Sequence, residues 1–230
     1  MAATLVASAA LALLAAWLRW ASVCPIGGDW SGAACQSRQD HRFDAVPVTT
    51  PWDVEPSWAL LGGAAWVLLA VAVVLLPTAL PARRWQRVSL AVAALGPLVM
   101  GATAVLAGTL DRYVEVPLHA VAVYLTVLTL PLTLLLMLAR PTADQAPGGP
   151  RRGLAILALV LATPLPQVLV VAPLLVPYRS YDTAPWSDAG LVPCLLVAAV
   201  ALRPWTLWTQ RSLANQQRAH GLSLYRSTAR

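Results

Sequence analysis

The sequence predicts an all-α, polytopic membrane protein of six transmembrane helices. Three observations carry that prediction. The chain of 230 residues is 58% hydrophobic and 11% charged, with a mean hydropathy of +0.66; a soluble domain carries about 25% charged residues. The charges are clustered, and runs of roughly 20 apolar residues, enough to cross a bilayer as helix, lie between the clusters. The arginine-rich clusters fall on alternate loops. Helix is the required form, because a backbone in lipid must satisfy its own hydrogen bonds. The runs lack the strict alternation of barrel strands.

The six runs are Thr4–Val23, Trp58–Leu80, Val88–Leu110, Pro117–Ala139, Gly153–Pro177 and Gly190–Trp208. One set of loops and the tail hold Arg83, Arg84, Arg87, Arg140, Arg151, Arg152, Arg203, Arg211, Arg218, Arg226 and Arg230, with Asp144 as the single acid. The other set holds Arg19, Arg38, Arg42, Arg112 and Arg179 with the remaining acids. The positive-inside rule then places both termini in the cytoplasm and the 24–56 loop outside. Every cation is Arg, and Ala, Leu, Val and Pro dominate, as expected of a GC-rich bacterial genome. The cell membrane is the expected location. Residues 1–208 form one transmembrane domain, and 209–230 a basic cytoplasmic tail.

Thr4–Val23 lacks the basic leading segment of a signal peptide, so it is expected to stay attached as the first span. The outer loop opens with CPIGGDWSGAAC, framed by Cys24 and Cys35. Its compartment is oxidising, so the pair is expected to form a disulfide staple. A redox relay usually sets its cysteines two residues apart at a helix N-terminus; here ten residues intervene, and there is no second outward pair. Next comes QDHRFD, where Asp40, His41 and Asp44 have metal-ligand chemistry without a defined spacing. A solvated, self-paired charge cluster is the expected reading.

TTPWD (Thr49–Asp53) is echoed by TAPWSD (Thr183–Asp188), each ahead of an inward-running span. Helix capping explains the echo, with Thr50 as N-cap, Pro51 as first helical residue and Asp53 as third. Trp52 and Trp186 then belong to an outer aromatic belt. The alternative is a paired rim around a shared opening. In span three, Ala94, Pro97, Gly101, Ala104 and Gly108 share one helical face; in span four, His119, Ala122, Thr126, Thr129 and Thr133 do the same. The two faces are expected to pack on one another as a hairpin, with a polar cavity lining as the alternative.

Span five reads ATPLPQVLVVAP. Pro164 and Pro166 remove backbone donors near mid-depth, beside Thr163 and Gln167. The expected result is a kink satisfied locally; a ligand site at a broken helix is the sharper alternative. Cys194 in span six is expected to be an inert apolar residue. In the tail, Arg203, Arg211 and Arg218 are expected to meet anionic lipid headgroups. No nucleic-acid module is visible.

No Asp, Glu, Lys or Arg occupies the middle of a span, and no nucleophile–base or metal constellation stands out. No cofactor is expected. The expected partners are the lipid bilayer and a membrane protein or a second copy. The leading function class is therefore a non-enzymatic accessory or partner subunit. A permease for a neutral or apolar small molecule, sited at the fifth span, is the first alternative. A thiol–disulfide oxidoreductase using Cys24 and Cys35 is the second.

Overall fold

The computed structural model describes residues 1–47, 52–80, 82–139, 149–175 and 184–203. Among these residues all regular structure is helical. Three single helices are long and apolar enough to cross a membrane: α1 (Ala2–Trp20), α3 (Pro56–Ala79) and α4 (Arg84–Leu110). A fourth such segment, His119–Ala139, is α5 (His119–Tyr124), a π turn (Leu125–Thr129) and α6 (Leu130–Ala139) in line. The short helix α2 (Ala33–Arg38) lies in the loop between α1 and α3.

The fifth apolar run, Gly153–Pro177, breaks at the prolines where a kink is expected, and the bend is large. Helix α7 (Gly149–Leu161) ends, and the chain turns by 80° into α8 (Pro164–Pro166), a second π turn (Gln167–Val171) and α9 (Ala172–Leu175). Pro164 and Pro166 have no N–H to continue the α7 ladder, and Thr163 sits in extended conformation ahead of them. In the described part of the sixth run, a 3-10 turn (Ser187–Gly190) leads into α10 (Leu191–Ala201). Among the described residues there are thus four spanning-length helices, or five if the bent pair counts as one span.

Both π turns stop two residues short of a proline, Pro131 and Pro173. A proline ring collides with the carbonyl four residues back, and a widened turn relieves that collision without ending the helix.

The segments close into a ring in chain order. α1 packs on α3 and α10, α3 on α4, α4 on α5 and α6, α6 on α7, and α7 on α10. Short connections favour such sequential neighbours. The middle is filled by one apolar cluster drawing on every segment, including Leu5, Leu76, Leu90, Met137, Ile156 and Leu195.

Small residues also set a close seam between α3 and α4, a pairing that the sequence pattern does not assign. A Cβ on Gly63 of α3 would stand 2.6 Å from the Gly101 carbonyl oxygen of α4, and a Cβ on Gly101 equally close to the Gly63 oxygen. Gly108 meets Leu60 and Pro56 of α3. The small face of α4 therefore packs on α3, where glycines oppose each other and let the backbones touch. The threonine segment meets α4 elsewhere: a Cβ on Gly96 would collide with Thr126 Oγ1 and stand 2.7 Å from the Ala122 carbonyl oxygen. That hydroxyl donates to the Ala122 carbonyl of its own turn, 2.8 Å away, and not across the seam.

Candidate functional site: a disulfide cap around a buried arginine

The end of the bundle where α1 stops carries the densest polar organisation. Helix α1 ends at Trp20, and the Cys24 N–H still donates to the Trp20 carbonyl, which fixes the first cysteine. Cys24 and Cys35 are joined by a disulfide. Gly27 adopts a left-handed φ of 73°, which a side chain would disfavour. Both sulfurs are buried against Ala16 and Trp20, with Val23, Trp30, Trp186 and Ala189 around them. Thiol exchange needs a thiolate to reach a sulfur, and this packing denies it access.

Arg19, one turn of helix below, is the centre of the cap. Its side chain is 0% exposed. Nη1 donates to Asp44 Oδ1 at 2.9 Å and to Asp188 Oδ2 at 3.0 Å. Nη2 donates to the Arg38 carbonyl at 3.1 Å, and the guanidinium lies 4.3 Å from the centre of the Trp20 ring. One side chain thus ties α1 to the 24–47 loop and to the turn before α10. Such charge-assisted bonds are about twice as strong as neutral ones. His41 Nδ1 lies 3.1 Å from Asp44 Oδ2. Burial pushes the Asp188 carboxyl above its ordinary value; Arg19 opposes that shift, and the neighbouring Asp44 charge adds to it.

Three indole N–H groups hold the loop from two sides. Trp52 donates to the Asp44 carbonyl at 2.7 Å, Trp58 to the Phe43 carbonyl at 3.2 Å, and Trp186 to the Cys24 carbonyl at 2.7 Å. Trp186 has a left-handed φ of 65° and meets Trp17 edge to face. A non-glycine residue holds that conformation only when its surroundings fix it.

The cap corrects the capping reading of the sequence echo. Helix α3 starts at Pro56 with Glu55 before it, and 52–55 are not helical. Thr50 and Pro51 lie outside the described residues. The Asp53 N–H donates to the Arg42 carbonyl, and its carboxylate lies 3.6 Å from Arg42 Nε. Both PWD-like motifs therefore clip the loop: each places a tryptophan on one of its carbonyls and an acid on an arginine.

The QDHRFD charges are self-paired as expected, with the Asp40, His41 and Arg42 side chains each nearly half exposed, but Asp44 departs from the solvated reading. Asp40 turns to Arg42, accepting its N–H at 3.0 Å and pairing with Nε at 3.2 Å. Asp44 turns inward to Arg19. Asp40 thus turns away from the His41–Asp44 pair, and among the described residues no group of three or more His, Cys, Asp or Glu is placed to hold a metal.

At the helix break, Thr163 is buried, and its hydroxyl donates to the Val160 carbonyl at 2.6 Å. Gln167 Nε2 donates to the Leu161 carbonyl at 2.8 Å and lies 3.8 Å from Cys194 Sγ. Its Oε1 is buried with no donor. Helix α8 lies against the π turn that carries Thr126 and Thr129. Thr126 and Thr133 are buried, while Thr129 and His119 are half-buried. Arg203 is exposed at the end of α10; Arg211 and Arg218 lie outside the described residues. A groove of about 500 Å³ runs between α3 and α4, lined by residues such as Ala64, Leu68, Ala102 and Leu106, and none of the candidate residues lines it.

The role of Arg19 is not legible locally. It stands at the edge of an apolar run, and its partner Asp188 is 169 residues away. The one sequence trace of the site is the PWD echo, which marks both partner loops. No known protein family, curated protein or solved structure matches the chain.

Proposed function

We propose that this chain is a six-span protein of the bacterial cell membrane, with both termini cytoplasmic, that works as a non-catalytic partner subunit. Its disulfide cap is the recognition face. The observation that carries the reading is the Arg19 centre. The strongest polar interactions join three chain segments into one rigid surface. At the tip of that surface Ile26 is 74% exposed, ahead of Gly27 and Gly28. A rigid platform with an exposed apolar tip suits recognition, because little conformational freedom is lost on binding.

Co-purification tests this. The tagged chain, expressed at native level and extracted in mild detergent, is expected to bring down a stoichiometric envelope partner. Ile26→Asp is expected to lose that partner while the melting temperature stays unchanged. Recovery of the chain alone at full yield counts against the reading.

A permease reading has one observation in its favour, the buried Gln167 Oε1 beside the helix break. Gln167→Leu separates the two. It is expected to lower stability by about 1–2 kcal/mol through the lost bond to the Leu161 carbonyl, and to leave partner capture intact. Loss of uptake of a neutral solute at unchanged protein level would favour the permease.

A further inference from the structure

We propose that the α7–α10 edge of the ring is a lipid-contact surface that holds a locally thinned bilayer. The proposal rests on the six-span reading, since α10 must cross the membrane. Helix α3 has 24 residues, and the apolar part of α4, Val88–Leu110, has 23, lengths of about 36 and 35 Å. Helix α7 has 13 residues, about 20 Å, before the chain turns away. The apolar helix Ser187–Ala201 runs for about 22 Å. A hydrocarbon core is about 30 Å thick, so one side of the ring exceeds it and the other falls short.

Charged groups fix where the short helices end. Asp188 is held at one end by Arg19, and exposed Arg203 follows the other end of α10. Arg151 and Arg152 sit in the first turn of α7. Because α7 and α10 are neighbours, the shortfall is gathered at one edge. A bilayer meets a short hydrophobic stretch by thinning.

Past the turn the chain runs at 80° to α7. Leu165, Val168, Leu169 and Leu174 are exposed there. The carbonyls released at the break are satisfied from within, Leu161 by Gln167 and Val160 by Thr163. Lipid offers no hydrogen bonds, so a break facing lipid must close its own. The Leu161 and Val160 carbonyls are closed in this way, which suits a surface that faces lipid.

The test uses the full chain in phosphatidylcholine vesicles with monounsaturated acyl chains of 14 to 22 carbons. Melting is followed by tryptophan fluorescence. The expected midpoint is about 5 °C higher in the 14-carbon than in the 22-carbon lipid. In parallel, Arg203→Cys in a Cys194→Ala background is labelled with an impermeant maleimide from either side. Labelling only from the side opposite the cap, together with a short-chain optimum, supports the proposal. The same labelling with an optimum at long chains, where α3 and α4 fit, or with no dependence, overturns the thinning and leaves the span count standing. Labelling from the cap side overturns the six-span reading itself.

Discussion

Arg19 Nη1 lies 2.9 Å from Asp44 and 3.0 Å from Asp188, so one buried guanidinium serves two carboxylates from loops at opposite ends of the chain. Removing it leaves both acids facing each other without the shared cation. Arg19→Met is expected to cost about 3–5 kcal/mol, as for a broken buried ion pair. Asp188→Asn leaves the Arg19–Asp44 pair in place and is expected to stay within about 1 kcal/mol of the parent. The variant with Arg19→Met, Asp44→Asn and Asp188→Asn together is expected to recover most of the loss. Detergent melting curves measure all three. A mild Arg19→Met variant would mean that the cap does not depend on this centre.

The same centre has a pH signature. Burial raises the folded Asp188 carboxyl above its ordinary 3.8, so the folded protein holds a proton that the unfolded chain has released. The contribution of this group is fully present below the ordinary carboxylate value and is lost as pH rises through the folded value. Asp188→Asn removes that loss. Its melting temperature relative to the parent is therefore expected to rise between pH 4 and pH 7. A relative fall over the same range would show that Arg19 dominates and that the carboxyl is held down.

The disulfide closes a separation of 11 residues. Replacing Cys24 and Cys35 by Ser is expected to cost about 3 kcal/mol, chiefly through the freed unfolded chain. Alkylation after denaturation without reductant is expected to label Cys194 alone, the free cysteine of the three. Labelling of all three under ordinary growth conditions would reopen a redox role.

The membrane class and the staple were legible because each depends on composition or on two residues near in sequence. The 80° turn was legible as a kink at Pro164 and Pro166, but its size was not, since that depends on what the chain packs against afterwards. The helix-cap reading of Thr50, Pro51 and Asp53 failed for a physical reason. A capping pattern is a local preference of about 1 kcal/mol, and here the Trp52 indole is buried on the Asp44 carbonyl while the Asp53 N–H goes to Arg42. The neighbour of the small face of α4 was misassigned because helical spacing says which residues share a face, not which neighbour that face meets. Gly101, Ala104 and Gly108 were read correctly as a packing face, but the glycine that opposes them, Gly63, is on α3 and not on the threonine segment.

That seam gives the last prediction. A Cβ at Gly63 would stand 2.6 Å from the Gly101 oxygen and 2.8 Å from the Val105 nitrogen, both backbone atoms that can yield only if the helices separate. Gly63→Ala is therefore expected to lower stability by about 1–3 kcal/mol, the range for overpacking a close contact. Gly32→Ala is the control. It has φ −64° and nothing within 4 Å of its Cβ position, so the added methyl is expected to be neutral or slightly stabilising by restricting the unfolded chain. Intrinsic helix propensity alone favours Ala over Gly inside α3 by about 1 kcal/mol. A more stable Gly63→Ala variant would therefore mean that propensity outweighs the contact and that α3 and α4 are not pressed together at this point.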